Sequence, residues 1–171
     1  MGMQGRIDTS FTPSAQTARE FRTALSRFAT GVTVVTTCGP LGPVGITANS
    51  FSSLSLDPPL VLWSPARASR RFDAFVDAVH FAIHVLAHEQ IWLGQHFART
   101  GDDFALDGVE QGLGGVPLLP GCLARFECTT AAVHDGGDHA IVVGQVQRAT
   151  WRDGEPLIFS GGSYGGFRHG A

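Results

Sequence analysis

Twenty residues, Gly45 to Ser64 (GITANSFSSLSLDPPLVLWS), constrain this chain more than any others. They read as an apolar strand, an uncharged hydroxyl-rich turn, and a second apolar strand opened by Pro58-Pro59. Before Asp57 the turn carries no charge, yet it offers Thr47, Asn49, Ser50, Ser52, Ser53 and Ser55. Asn49 is the only asparagine in the chain. Short hydroxyl and amide groups can donate to ring carbonyls and nitrogens, and successive backbone N–H groups can cradle a phosphate. A serine-rich surface loop is the plainer reading of such a cluster. Its bracketing by two apolar strands makes it a tight, positioned loop.

The same rhythm of short strands and turns runs through the rest of the chain. Val32 to Thr37 is β-branched throughout, Val44 to Ala48 returns after a Gly/Pro turn, and Leu60 to Trp63 follows. Val79 to Leu86 alternates, with Phe81, Ile83 and Val85 on one face and His80 and His84 on the other. Leu123 to Val133 and Ala140 to Thr150 are longer β segments joined by Asp135-Gly136-Gly137-Asp138, and Leu157 to Phe159 is a last short strand. Helical spacing of apolar residues predicts helices over Thr17 to Phe28, Ser69 to Val76 and Glu89 to Ala98. Many strands, few short helices and no repeats predict an all-β-dominated fold, a closed β barrel whose strand order the pattern leaves open.

At 171 residues the chain makes one domain, expected over 15–171 behind a loose N-terminal arm, 1–14. The formal net charge of −3 supplies no basic field for nucleic acid or anionic lipid. All twelve basic residues are arginine, which excludes Schiff-base lysine chemistry and a P-loop lysine. No apolar run approaches the ~20 residues of a membrane span. The N-terminus lacks the charged-then-apolar order of a signal peptide. Cys38, Cys122 and Cys128 form no C-x-x-C pair and fit reduced thiols in a cytoplasm.

Several motifs compete for the chemistry. There is no G-x-G-x-x-G, so a dinucleotide would bind without a Rossmann unit. Gly161-Gly162-Ser163-Tyr164-Gly165 matches a nucleophile elbow in form only, because His169 alone follows it. His80, His84 and His88 would share a helix face, but their neighbours alternate as a strand, which separates the imidazoles. Asp102-Asp103 reads as a cap. Arg67, Ser69, Arg70 and Arg71 follow the strand end at Ser64, where arginine and a hydroxyl can grip a phosphate. Gly137 lets its turn go left-handed and project His139 sideways into a cleft.

The ordered set Thr47-Ala48-Asn49-Ser50-Phe51 with Asp57-Pro58-Pro59-Leu60-Val61 resembles the signature of the flavin reductase-like family. The resemblance continues at Phe28 to Thr37, Gln95-His96-Phe97-Ala98, Gly115-Val116-Pro117, Phe126-Glu127-Cys128, Gly137-Asp138-His139, Pro156 to Phe159 and Tyr164. It covers roughly residues 18 to 167. It implies a six-stranded Greek-key FMN-binding split barrel that forms a homodimer. The implied activity is hydride transfer from NADH or NADPH to FAD or FMN, with reduced flavin diffusing to a flavin-dependent monooxygenase component. By resemblance, Thr47, Ala48, Asn49 and Ser50 hold the isoalloxazine edge and ribityl chain. Arg67 and Ser69 hold the phosphate, Ser64 is a further cofactor-binding residue, and His96 and Phe97 lie against the flavin. His139 meets the nicotinamide dinucleotide and Tyr164 covers a ring edge. Relatives often carry Asp-Lys-Phe where this chain has Asp102-Asp103-Phe104, so any phosphate role of that lysine must pass to an arginine or lapse. The cofactors carry such chemistry and the protein orients them, so no catalytic residue in the strict sense is expected. A non-catalytic flavin-binding module with the same barrel is the alternative.

Overall fold

A computed structural model describes residues 9–167. The first eight residues of the expected arm, and His169, lie outside that span. A short helix α1 (Ala18–Leu25) leads into β1 (Thr30–Gly31), β2 (Thr33–Gly39), β3 (Gly42–Ala48), β4 (Ser52–Leu56) and β5 (Pro59–Trp63). Helix α2 (Phe72–Val76), β6 (His80–Val85), a 3₁₀ turn over His88–Gln90 and α3 (Ile91–Arg99) follow. After β7 (Glu110–Gln111) and β8 (Pro117–Leu118) come the long hairpin β9 (Ala124–Gly136) and β10 (His139–Trp151), then β11 (Leu157–Ser160) and β12 (Ser163–Gly166).

Seven strands form one antiparallel sheet in the order β3-β2-β6-β9-β10-β5-β4. Its two edge strands, β3 and β4, are consecutive in sequence and separated only by residues 49–51. Laid flat, seven strands would hold their edges about 29 Å apart. The four Cα steps from Ala48 to Ser52 reach at most about 15 Å. The sheet must therefore curl until its edges meet. The core records this curl: Val44, Ile46 and Ala48 of β3 pack against the cluster that contains Val61 and Trp63 of β5. The expected closed barrel is thus a curled, open sheet, because β3 and β4 are not hydrogen-bonded to each other.

Two further corrections concern local structure. The hydroxyl-rich turn is shorter than expected, because Ser52, Ser53 and Ser55 belong to β4, which pairs with β5. The glycine-rich tail is no mere turn either. It forms the hairpin β11–β12, and with β1 makes a separate three-stranded sheet. A second core cluster under that sheet joins Val32, Leu86, Leu93, Phe97 and Leu157, with Phe159 and Tyr164 against it.

Both faces of β6 are covered, so the expected polar face does not exist. His84 is fully buried. Its Nδ1–H donates to the Val34 carbonyl (3.0 Å), and its Nε2 accepts from the Leu119 N–H (3.1 Å). Desolvation pushes its pKa down to about 3, with the Val34 bond partly opposing and Arg125 adding to the drop. His80 faces Thr129, and His88 lies against Gly166. Among the described residues, no three His, Cys, Asp or Glu groups converge as a metal site.

Candidate functional site

The seam between β3 and β4 is built by Ser50. Its hydroxyl accepts from the Ser64 N–H (2.9 Å) and donates to the Ser64 carbonyl (3.2 Å). It thus acts as one extra backbone rung between the sheet's first edge and the end of β5. Asn49 beside it is exposed, and no hydrogen bond engages its amide. Ala48 supplies a carbonyl to the Thr33 hydroxyl (2.8 Å). The Thr47 hydroxyl donates to the Gly94 carbonyl (2.6 Å) and so ties β3 to α3. Of the four candidates in this run, Asn49 alone presents an unengaged side-chain donor.

Beyond Ser64 the chain pairs with the β9–β10 hairpin. Ala66 bridges His139, and the Arg67 N–H donates to the Asp138 carbonyl (2.9 Å). The Arg67 guanidinium donates to the Gly137 carbonyl (3.0 Å) and to the Asp135 carboxylate, and it lies over the Phe72 ring. Gly137 has the left-handed conformation expected of it (φ 75°). His139 is half exposed, with Nδ1 2.8 Å from the Asp138 carboxylate. That bond, and the His139 charge when present, lower the Asp138 pKa. Ser50, Ser64, Arg67 and His139 are therefore joined in one run of contacts. Arg67 within it braces a hairpin.

Ser69 lies elsewhere, in a cavity of about 400 Å³ with Ile46, Thr47, Arg70, Arg71, Ala98 and Arg99. Arg71 is committed: its guanidinium donates to the carbonyls of Gly45 (3.0 Å), Phe97 (2.6 Å) and Arg99 (3.1 Å). Burial lowers its pKa, and Asp102 offsets part of that. Arg70 and Arg99 are exposed, and neither side chain makes a hydrogen bond or ion pair. Two free guanidiniums and a serine hydroxyl around one small cavity suit a phosphate dianion. Arg99 was invisible as a candidate in the sequence. Its one signal was Asp103 where relatives often carry lysine, a phosphate role that passes to an arginine or lapses.

His96 and Phe97 separate. His96 donates from Nε2 to the Asp103 carbonyl (2.8 Å), which leaves Nδ1 free. Phe97 is fully buried beneath Gly45 and offers no surface to a ligand. Tyr164, on β12, packs its ring against Phe159 with centroids 5.4 Å apart and lies against the second core cluster. Burial pushes Cys122 up to about 11, with a Gln90 hydrogen bond and the Arg125 and Arg152 charges partly opposing, and pushes Cys128 up to about 12, with the Glu127 charge adding to the rise, so neither thiol is a ready nucleophile.

Residues 25–168 match the flavin reductase like domain. The chain belongs to the flavin reductase-like family. Within it, the chain is 57% identical over 157 residues to FMN reductase (NADH) SmoA of Agrobacterium fabrum, covering 92% of this chain and 90% of that protein. It is 44% identical to HsaB of Rhodococcus jostii, a flavin-dependent monooxygenase reductase subunit, over 86% of this chain and 77% of that one. Among solved structures it resembles the NADH:FAD oxidoreductase SgcE6 of Streptomyces globisporus. The TM-score is 0.83 at 36% identity, covering 97% of this chain and 96% of that one. That structure shares the fold seen here over nearly the whole chain.

Proposed function

We propose that the protein is an NADH-dependent flavin reductase that delivers reduced flavin to a separate flavin-dependent monooxygenase component. The observation that carries this reading is the unpaired donor set along β3. Asn49 stands at one end, and Ser69 with Arg70 and Arg99 frames an anion-sized cavity further along. The bound cofactors supply the hydride chemistry, from nicotinamide to flavin. The protein supplies position. Asn49 meets the ring edge, Thr47 and Ala48 form the floor, and Ser69, Arg70 and Arg99 hold the phosphate. His139, oriented by Asp138, meets the nicotinamide dinucleotide. Arg67 and Ser64 act by holding the His139 hairpin and the Ser50 seam. These contacts are polar and partly open to solvent, which suits a flavin that binds, is reduced and leaves.

The curled sheet supports a split barrel of six strands, β3-β2-β6-β9-β10-β5, with β4 continuing its open edge. A homodimer accords with α1, whose apolar residues Phe21 and Leu25 are uncovered, as is Phe28 just beyond it. No helix among the described residues is long and apolar enough to cross a membrane. Unpaired cysteines accord with work in the cytoplasm.

The test is NADH absorbance decay with and without added FMN or FAD, together with flavin titration. Oxidation that depends on added flavin is expected. Arg99→Gln should weaken FMN at least fivefold and leave riboflavin, which lacks the phosphate, unchanged. Flavin binding without NADH turnover would instead identify a binding module.

A further inference from the structure

The cavity around Ser69 does not end at Arg70. Arg70 and Arg71 also line a second, larger cleft of about 920 Å³. This cleft runs along β3 toward the β2–β3 turn, with α2 as its other wall. Leu41, Val44, Ala74 and Val79 make most of its lining apolar, and Asp73 and Asp77 stand on the α2 side. Neither carboxylate is in an ion pair among the described residues. The pinned Arg71 forms a rigid ridge between the two cavities, and the free Arg70 reaches both.

We propose that this cleft receives the adenosine end of a flavin dinucleotide, which makes FAD the preferred flavin of this protein. The inference rests on the flavin reading above. Three features carry it. The first is adjacency: Arg70 and Arg71 line both the Ser69 cavity and the cleft, and Leu41, Val44 and Ala74 belong to the cleft alone. Ring at Asn49, phosphates at Ser69 and Arg70, and nucleoside in the cleft is the order of parts in FAD. From Asn49 to Val44, five residues of extended chain span about 16 Å. The second is charge. Arg70 stands where a second phosphate would lie, whereas the acidic wall of Asp73 and Asp77 repels a free phosphate. The wall accepts hydrogen bonds from ribose hydroxyls and the adenine amine. The third is lining: a mostly apolar cleft with a few polar groups is what a planar nucleobase needs.

The same adenosine diphosphate chemistry occurs in NADH, so the experiment separates the two sources. Riboflavin, FMN and FAD are titrated against the full-length protein by fluorescence, and the KM for NADH is measured with FMN as acceptor. Wild type should bind FAD at least tenfold more tightly than FMN, about 1.4 kcal/mol. Ala74→Phe fills the cleft and should erase that difference while leaving the FMN affinity within twofold. Leu41→Asp, at a fully exposed turn residue that does not endanger folding, should weaken FAD at least fivefold and spare FMN. Unchanged FAD affinity in both variants overturns the proposal. So does a raised KM for NADH with FAD affinity intact, which would assign the cleft to the hydride donor. Failure of wild type to bind any of the three flavins is a different result and removes the flavin reading itself.

Discussion

The Ser50 hydroxyl holds both backbone polar groups of Ser64, accepting from its N–H at 2.9 Å and donating to its carbonyl at 3.2 Å. Ser50→Ala leaves both half-buried groups without that partner. A stability loss of about 1 kcal/mol is expected, read as a lower urea midpoint, together with weaker flavin binding because the neighbouring amide is no longer held. Asn49→Ala should weaken flavin at least fivefold with stability within about 0.5 kcal/mol of wild type.

Arg71 satisfies three carbonyls from two elements, a geometry that a planar fork can meet and an ammonium cannot. Arg71→Lys is expected to cost about 2 kcal/mol, measured by chemical denaturation. Arg99→Gln, at a side chain that makes no such bonds, should leave the midpoint unchanged.

Gly45 is required by close approach. A Cβ there would stand 2.6 Å from two ring carbons of Phe97 and 3.2 Å from Phe104. Phe97 is fully buried and cannot withdraw. Gly45→Ala should therefore destabilise by about 1–3 kcal/mol. Adding Phe97→Leu should recover part of that loss, whereas the same change in the wild-type background should only destabilise.

His84 gives a pH dependence of defined sign. Its pKa is near 3 in the folded protein and near 6.5 when unfolded. Between those values the unfolded chain takes up a proton that the native state refuses, so acid favours unfolding. Above about pH 6.5 this contribution vanishes. As pH falls below it, stability should drop with a slope approaching about 1.4 kcal/mol per pH unit. His84→Asn should reduce that slope by about one proton, as measured by denaturation at pH 5.0, 5.5, 6.0 and 7.0.

His139→Ala should raise the KM for NADH while flavin affinity stays within twofold. Equal loss of both in parallel titrations would remove the assignment. Asp138→Asn keeps a hydrogen-bond partner for Nδ1, so it should have a smaller effect on KM.

Strands whose residues are β-branched or alternate were legible in the sequence, as β2, β6, β9 and β10 show. β4 was not, because Ser52, Ser53 and Ser55 carry turn-forming side chains and become a strand only by pairing with β5. β12 was hidden for a similar reason, since its glycines extend only opposite β11. The burial of His84 depends on Leu119, 35 positions away, and no local pattern reports that. Among the candidate residues, type was readable but availability was not. Arginines 67, 70, 71 and 99 are chemically alike, and the fold alone decides that two are bound to protein and two are free.

The link at residues 49–51 has one more consequence. It is the only covalent tie between the first and last members of the seven-strand ladder, so it works as the buckle of a hoop. A ligand gripped at Asn49 would be anchored on that buckle, and it would shift the hoop's girth only as far as it binds one girth more tightly than another.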